Sequence, residues 1–313
     1  MKERLVIITG PTAVGKTATS IAVAKALDGE IISADSMQIY KYMDIGTAKA
    51  TVEEMEGIPH HMTDILTPDE DYSVALYSRM AKEKISELNE RGKLPIVVGG
   101  TGLYINSLVY NLDFGSVPPQ PDYRSELYGL YEEKGGDYLL DMLKKVDPVY
   151  AESMGPKDVK RIVRALEVFK ITGERQSERD NKFREENTDY LLSYYCLNMD
   201  RQKLYDRIDK RVDIMLADGL VEEVKGLLAS GYTKQMTSMQ GIGYKEVCDY
   251  LDGNCTLDEA VELIKKGSRN YAKRQLTWFR RDNRIKWIDV DKFDEKADLN
   301  SFLIEDIRNN IFY

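Results

Sequence analysis

Residues Gly10-Pro11-Thr12-Ala13-Val14-Gly15-Lys16-Thr17 spell G-x-x-x-x-G-K-[ST], the pattern of a backbone loop that wraps phosphate. The setting constrains the fold more than the pattern does. The apolar run Leu5 to Thr9 predicts a buried strand and Ala18 to Leu27 a helix, so the loop lies where a strand hands over to a helix. Gly10 and Gly15 let the backbone aim its N–H groups inward, and the helix adds the positive end of its dipole. Pro11, Thr12, Ala13 and Val14 complete the cradle. Lys16 is placed to meet the outer phosphates, and the Thr17 hydroxyl suits a Mg²⁺ bridging them. Such a chain binds a di- or triphosphate.

Strand and helix keep alternating over the first hundred residues: Glu30 to Ala34 reads as a strand, Val74 to Arg91 as a helix and Leu94 to Val98 as a strand. This predicts an α/β fold, a P-loop-type parallel sheet flanked by helices. Ligands in such folds bind beyond the carboxyl ends of the strands, which singles out Asp35 and Gly99-Gly100-Thr101-Gly102. In the helix, Val74, Tyr77, Ala81, Ile85 and Leu88 form the packed stripe, Ser73 is its cap and Gly92 its stop. The Pro-rich break Val117 to Pro121 changes the texture, and the chain from there to about Thr188 is helical and charged. The expected organisation is a core of residues 1–113 and 189–313 with a mainly helical insertion of residues 114–188. The run Tyr190 to Leu197 returns to the sheet. Helices are expected over Arg201 to Ala217, with Arg207 and Arg211 one turn apart, and over Leu220 to Ala229. The capping box at Thr256 to Glu259 starts a long helix whose packed stripe is read as Leu257, Val261, Ile264, Tyr271 and Trp278.

Composition excludes several classes. No apolar run among the 313 residues approaches the roughly 20 needed to span a membrane, so a cytoplasmic protein is expected, and a monomer is taken as the default because the sequence is silent on assembly. Three scattered cysteines suggest neither a disulfide framework nor a zinc ribbon, and the adjacent pair His60-His61 reads as structural. The net charge of −9 opposes nonspecific nucleic-acid binding. Yet Lys265, Lys266, Arg269, Lys273, Arg274, Arg280, Arg281, Arg284 and Lys286 cluster with only Asp282 opposing them in sequence, interleaved with Tyr271, Trp278 and Phe279. That is a local basic surface on an acidic chain.

A phosphate loop alone fits kinases, ATPases and GTPases. Here the strand Pro95 to Val98 runs into Gly99-Gly100 instead of the aspartate that holds the metal for nucleotide hydrolysis, and Asn181-Lys182-Phe183 is followed by Arg184 where a guanine-reading signature needs Asp. Simple hydrolysis is disfavoured. A small-molecule kinase and a transferase whose donor is a diphosphate ester both remain.

The chain resembles the tRNA dimethylallyltransferase (tRNA isopentenyl transferase) family, bacterial type. The resemblance rests on Gly10 to Thr17, Ile32 to Tyr40, Met43 to Lys49, Gly57 to His61, Val98 to Tyr104, Lys160 to Val168, Gln240 to Lys245 and Tyr271 to Phe279, in order along nearly the whole chain. It implies transfer of a dimethylallyl group from its diphosphate to the exocyclic N6 amine of the adenosine 3′ of the anticodon. The loop would then hold the leaving diphosphate, with Mg²⁺ on Thr17, so no metal-holding aspartate after the strand is needed. Asp35 matches the family's catalytic carboxylate, Thr101 its threonine beside the transferred group and the adenosine, and Arg207 its arginine, with Arg211 as the alternative. Segments matching contacts to the tRNA anticodon stem-loop are Asp35-Ser36-Met37-Gln38, Thr101, Arg124, Lys160-Arg161-Ile162-Val163-Arg164 and Gln240-Gly241-Ile242-Gly243-Tyr244-Lys245. The basic helix, Lys273 and Arg274 included, would grip RNA phosphates. A relative that prenylates free adenine nucleotides would share the loop and Asp35 but lack the insertion and the basic helix.

Overall fold

A computed structural model describes residues 2–112, 120–182 and 185–313. The break at Val117, Pro118 and Pro119, the expected boundary at 113/114, and Phe183 and Arg184 lie outside the described residues. The chain divides into two compact units, Met1–Leu108 with Thr188–Tyr313, and Val109–Asn187.

In the first unit, six parallel strands among the described residues form one sheet: β1 (Glu3–Thr9), β2 (Gly29–Ser33), β3 (His60–His61), β4 (Leu94–Gly99), β5 (Tyr190–Asn198) and β6 (Lys286–Asp289), in the order β3-β2-β4-β1-β5-β6. Every pairing is parallel, so all carboxyl ends share one edge. Central β1 is flanked on both sides, which is why Leu5, Val6, Ile7 and Ile8 are fully buried and apolar throughout. Helix α1 (Lys16–Leu27) follows β1, and α2 (Val52–Met55) precedes β3. Helix α3 (Val74–Glu90) packs on β1, β2 and β4 through Tyr77, Ala81, Ile85 and Leu88, with the Ser73 hydroxyl accepting from Leu76 N. Helix α4 (Gly102–Val109) leaves β4.

The second unit is helical: α5 (Pro121–Val146), α6 (Pro148–Ala151), α7 (Val159–Thr172) and α8 (Gln176–Lys182). Its core joins Leu127, Leu139 and Leu143 of α5 to Ile162, Val163 and Leu166 of α7. The first unit resumes with β5, α9 (Arg201–Ala217), α10 (Leu220–Ala229), α11 (Tyr244–Leu251), α12 (Leu257–Phe279), β6 and α13 (Lys296–Ile311), which packs on α1 and β5.

The structural reading of the histidine pair gains a strand, and the packed stripe of α12 needs correction. His60-His61 is an edge strand too short to leave a periodic signal, and it is held by His61 Nε2 against Glu30, 2.7 Å away. On α12 the buried residues are Ala260, Ile264, Ala272, Gln275 and Phe279, whereas Leu257 is 37% exposed and Tyr271 and Trp278 are only half-buried. Gly100 and Gly102 let the loop approach this helix closely, since β-carbons there would lie 2.0 Å from Gln275 Nε2 and 2.2 Å from Trp278 Cδ1.

The insertion is tied by Glu167, whose fully buried carboxylate accepts from Arg124 Nε and Nη2 at 2.8 Å, Gln120 N at 2.7 Å and Arg164 Nη1 at 2.5 Å. Burial pushes its carboxyl up, but these bonds outweigh burial and hold it below the usual value. Its stabilisation is therefore present at neutral pH and is lost as the pH falls through that depressed value. Glu167→Ala leaves two half-exposed arginines facing each other and should destabilise this unit by about 2 kcal/mol. Faster amide exchange across Val159–Thr172, with β1 unaffected, is the expected readout.

Candidate active site

The site is assembled where four parallel strands end on one edge. After β1, Gly10 and Gly15 adopt φ of 144° and 110°, and Ala13 sits at φ 65°. A β-carbon on Gly10 would also lie 2.5 Å from Leu197 O of β5, so the loop needs glycine there on both counts. Helix α1 begins without a side-chain cap and with no acidic residue in its first turn, leaving its N–H groups and dipole open toward the loop. Lys16 Nζ donates to Gly10 O at 3.0 Å and Pro11 O at 2.8 Å. Burial, with Arg211 adding, lowers its ammonium to about 8, against the opposing pull of Asp35. Thr17 is exposed in the same first turn.

After β2 and β4, the chain brings Asp35 and Thr101 together. Thr101 N donates to Ala34 O at 3.1 Å, and Thr101 Oγ1 accepts from Ser36 N at 3.0 Å. Asp35 Oδ1 accepts from Met37 N at 2.9 Å, which fixes the turn. From α9, a guanidinium nitrogen of Arg207 comes within 3.7 Å of where a Gly15 β-carbon would stand. Arg211, one turn on, lines a cavity of about 300 Å³ with Thr12, Asp35, Ser36, Met37, Gln240, Gly241, Ile242, Tyr271 and Arg274. This cavity runs from the phosphate loop past the carboxylate to α12.

Gly46, Thr47 and Ala48 line one wall of the cavity. Glu223 of α10 accepts from Asp44 N, Ile45 N and Gly46 N at 2.9, 2.7 and 3.1 Å, and from the Tyr244 hydroxyl at 2.6 Å. On the other side, Gln38 Nε2 donates to Thr47 O and Ala48 O at 3.2 and 3.3 Å. The segment is clamped by its amides and its carbonyls.

Several of the expected contact residues already have partners within the protein. The Gln38 amide is spent on the wall, and Tyr244 is buried on Glu223, with Gly243 at φ 100° turning the chain before it. Ile162 and Val163 are buried in the insertion's core because they form the apolar face of α7, so their side chains are out of reach of RNA. Arg124 and Arg164 are held by Glu167. Lys160, Arg161 and Lys245 are exposed.

The basic helix is also less charged than its sequence. Lys265 pairs with Asp213 and Arg269 with Asp209, both at 2.6 Å from α9, while Arg284 pairs with Asp282 at 2.7 Å. Among the described residues Lys266, Lys273, Arg274, Arg280 and Arg281 make no ion pair. Arg274 lies over Tyr271 and Arg281 over Trp278, at 5.7 and 5.9 Å from the ring centroids.

Two residues of α12 escaped the sequence reading. Tyr271, assigned to the packed stripe, lines the cavity, and burial with Asp35 nearby pushes its phenol up to about 12, so it stays a neutral donor. Gln275 is buried, with Oε1 accepting from Thr12 N at 2.9 Å and Nε2 donating to Gly100 O at 3.0 Å. The available signal was the polar run Tyr271, Arg274, Gln275, Trp278 recurring at helical spacing on one face.

Among the described residues no group of three or more His, Cys, Asp or Glu is arranged to hold a metal. The exposed Thr17 hydroxyl beside the loop suits Mg²⁺, which takes few protein oxygens and fills its shell from phosphates and water.

Residues 38–282 match the family model described as IPP transferase, and residues 3–65 the one described as isopentenyl transferase. The chain is 53% identical over 312 residues to the tRNA dimethylallyltransferase of Carboxydothermus hydrogenoformans, covering 97% of this chain and 100% of that one. The crystal structure of the full-length tRNA isopentenylpyrophosphate transferase of Bacillus halodurans superposes with a TM-score of 0.71 at 46% identity, covering 99% of this chain and 98% of that one. A eukaryotic dimethylallyltransferase acting on tRNA superposes with a TM-score of 0.81 at 30% identity, covering 97% and 79%. With its phosphate loop, its carboxylate and these relatives agreeing, the chain belongs to the tRNA dimethylallyltransferase family.

Proposed function

We propose that this protein takes the dimethylallyl group from dimethylallyl diphosphate and attaches it to the exocyclic N6 amine of the adenosine 3′ of the anticodon, releasing diphosphate. Transfer of a dimethylallyl group to tRNA follows from the family; the donor, the acceptor atom and the residue roles are the proposal. The observation that carries it is the single cavity reaching from Thr12 of the phosphate loop to Asp35, with Arg211 and Tyr271 in its walls.

In this reading the loop amides, Lys16 and Arg207 hold the diphosphate, and their positive charge stabilises it as the C–O bond breaks. Mg²⁺ on Thr17, when bound, would neutralise further charge on the leaving group. The N6 nitrogen forms the new C–N bond and becomes cationic, and Asp35 accepts its proton. Thr101, which accepts from Ser36 N, orients the transferred group and the adenine. The adenosine must leave its stack to enter the cavity, as enzymes acting on bases require. Gln240, Gly241 and Ile242 at the cavity, with Lys273 and Arg274 beside it, are the RNA contacts of the first unit; the exposed Lys160 and Arg161 supply those of the insertion. A monomer working in the cytoplasm completes the reading.

The decisive experiment is incorporation of labelled dimethylallyl diphosphate into unmodified tRNA, with AMP as parallel acceptor. Label in tRNA alone is expected; label in AMP would indicate nucleotide prenylation, and label in neither would return the kinase to consideration.

Asp35→Asn should lower kcat by a factor of about 10²–10⁴ while tRNA binding persists. The lysine is charged below its pKa and neutral above it, so kcat/KM for the diphosphate donor should fall as the pH rises through about 8, where free Lys16 titrates. Lys273→Ala should weaken tRNA binding and reduce the slope of log K against log salt by about 1, whereas Lys265→Ala, whose charge Asp213 already neutralises, should leave that slope nearly unchanged.

A further inference from the structure

We propose that Gln275 is a positioning residue that sets the span between the phosphate loop and the loop bearing Thr101. The inference rests on the prenyl-transfer reading above, which places the leaving diphosphate on one loop and the acceptor on the other. Gln275 touches both. Its Oε1 accepts from Thr12 N at 2.9 Å, and its Nε2 donates to Gly100 O at 3.0 Å. Both of these partners are main-chain atoms, so the side chain ties backbone to backbone.

The surroundings fit a bridge better than a filler. A buried amide in a helix face otherwise made of Ala272, Phe279 and Ile264 is disfavoured unless both ends are hydrogen-bonded, and here both are. Gly100 is matched to it: a β-carbon there would lie 2.0 Å from Gln275 Nε2, so only glycine leaves room for the amide. The bridge departs from α12 one residue after the exposed Lys273 and Arg274. One turn of helix therefore serves the RNA-facing surface and the donor loop.

The test uses the full chain and two substitutions. Gln275→Met keeps length and volume but removes both hydrogen bonds. Gly100→Ala keeps the glutamine and displaces its amide. Affinity for inorganic diphosphate with Mg²⁺, measured by calorimetry, and KM for dimethylallyl diphosphate should each worsen about tenfold in either variant, the loss of roughly one well-made hydrogen bond to the loop. tRNA affinity should stay unchanged, and the double variant should be no worse than either single one, because both break the same bridge. A merely space-filling glutamine would leave diphosphate affinity intact in folded Gln275→Met, and that result overturns the proposal. So does full additivity in the double variant. Should Gln275→Met fail to fold, Gly100→Ala with unchanged donor constants overturns it alone. The calorimetry needs no turnover, so a wild-type protein inactive on tRNA would refute the reaction assigned above while diphosphate binding still judged Gln275.

Discussion

A β-carbon at Gly99 would stand 2.2 Å from the carbonyl oxygen of Ala34, and the missing side chain sets the spacing of the whole carboxyl edge. With the ends of β2 and β4 in backbone contact, Thr101 N reaches Ala34 O and Thr101 Oγ1 reaches Ser36 N, so the residues flanking Asp35 are locked to the strand next door. The phosphate loop meets the same edge from β1, where Thr9 Oγ1 donates to Gly99 O at 2.8 Å. Three loops from three strands are thereby held at fixed separation before any ligand arrives. Pre-organisation of this kind is what electrostatic stabilisation of a leaving group requires.

Helix α12 sits over that edge and does two jobs with alternating residues. Its buried turn presents Ala272, Gln275 and Phe279 to the core, while Lys273 and Arg274 remain exposed. Aspartates of α9 neutralise Lys265 and Arg269 in its first half, while Arg274, in its second half, reaches the cavity with no ion pair among the described residues. An acidic protein can in this way keep a local patch of positive charge.

What the sequence disclosed was local. The phosphate loop is a contiguous pattern between a strand and a helix, and the parallel sheet follows from alternation, so Asp35 and Thr101 could be placed at the carboxyl edge from chain order alone. What it concealed depends on partners distant along the chain. Glu223 meets the amide of Asp44, 179 residues away, and nothing local in α10 marks it as different from its neighbour Glu222. The neutralisation of Lys265 and Arg269 comes from another helix, so counting charges in a window overstated the basic surface. Ile162 and Val163 share a motif with exposed Lys160 and Arg161, yet helical periodicity turns them to opposite faces. The two-residue strand β3 is too short for any periodicity to register.

The clamped segment at Gly46, Thr47 and Ala48 bears on how this enzyme can change over time. The main chain of this wall is gripped by Glu223 on the amides of Asp44, Ile45 and Gly46 and by Gln38 on the carbonyls of Thr47 and Ala48, and the Thr47 hydroxyl donates to Met43 O at 2.6 Å. A pocket walled by side chains can be retuned one substitution at a time, larger or smaller, polar or apolar. A wall whose backbone is anchored on both sides resists being shifted as a whole, because re-seating the segment disturbs both anchors at once. Moving this wall therefore takes a change at Glu223 or Gln38 as well as in the segment itself, whereas substitutions elsewhere around the cavity reshape it and leave both anchors in place.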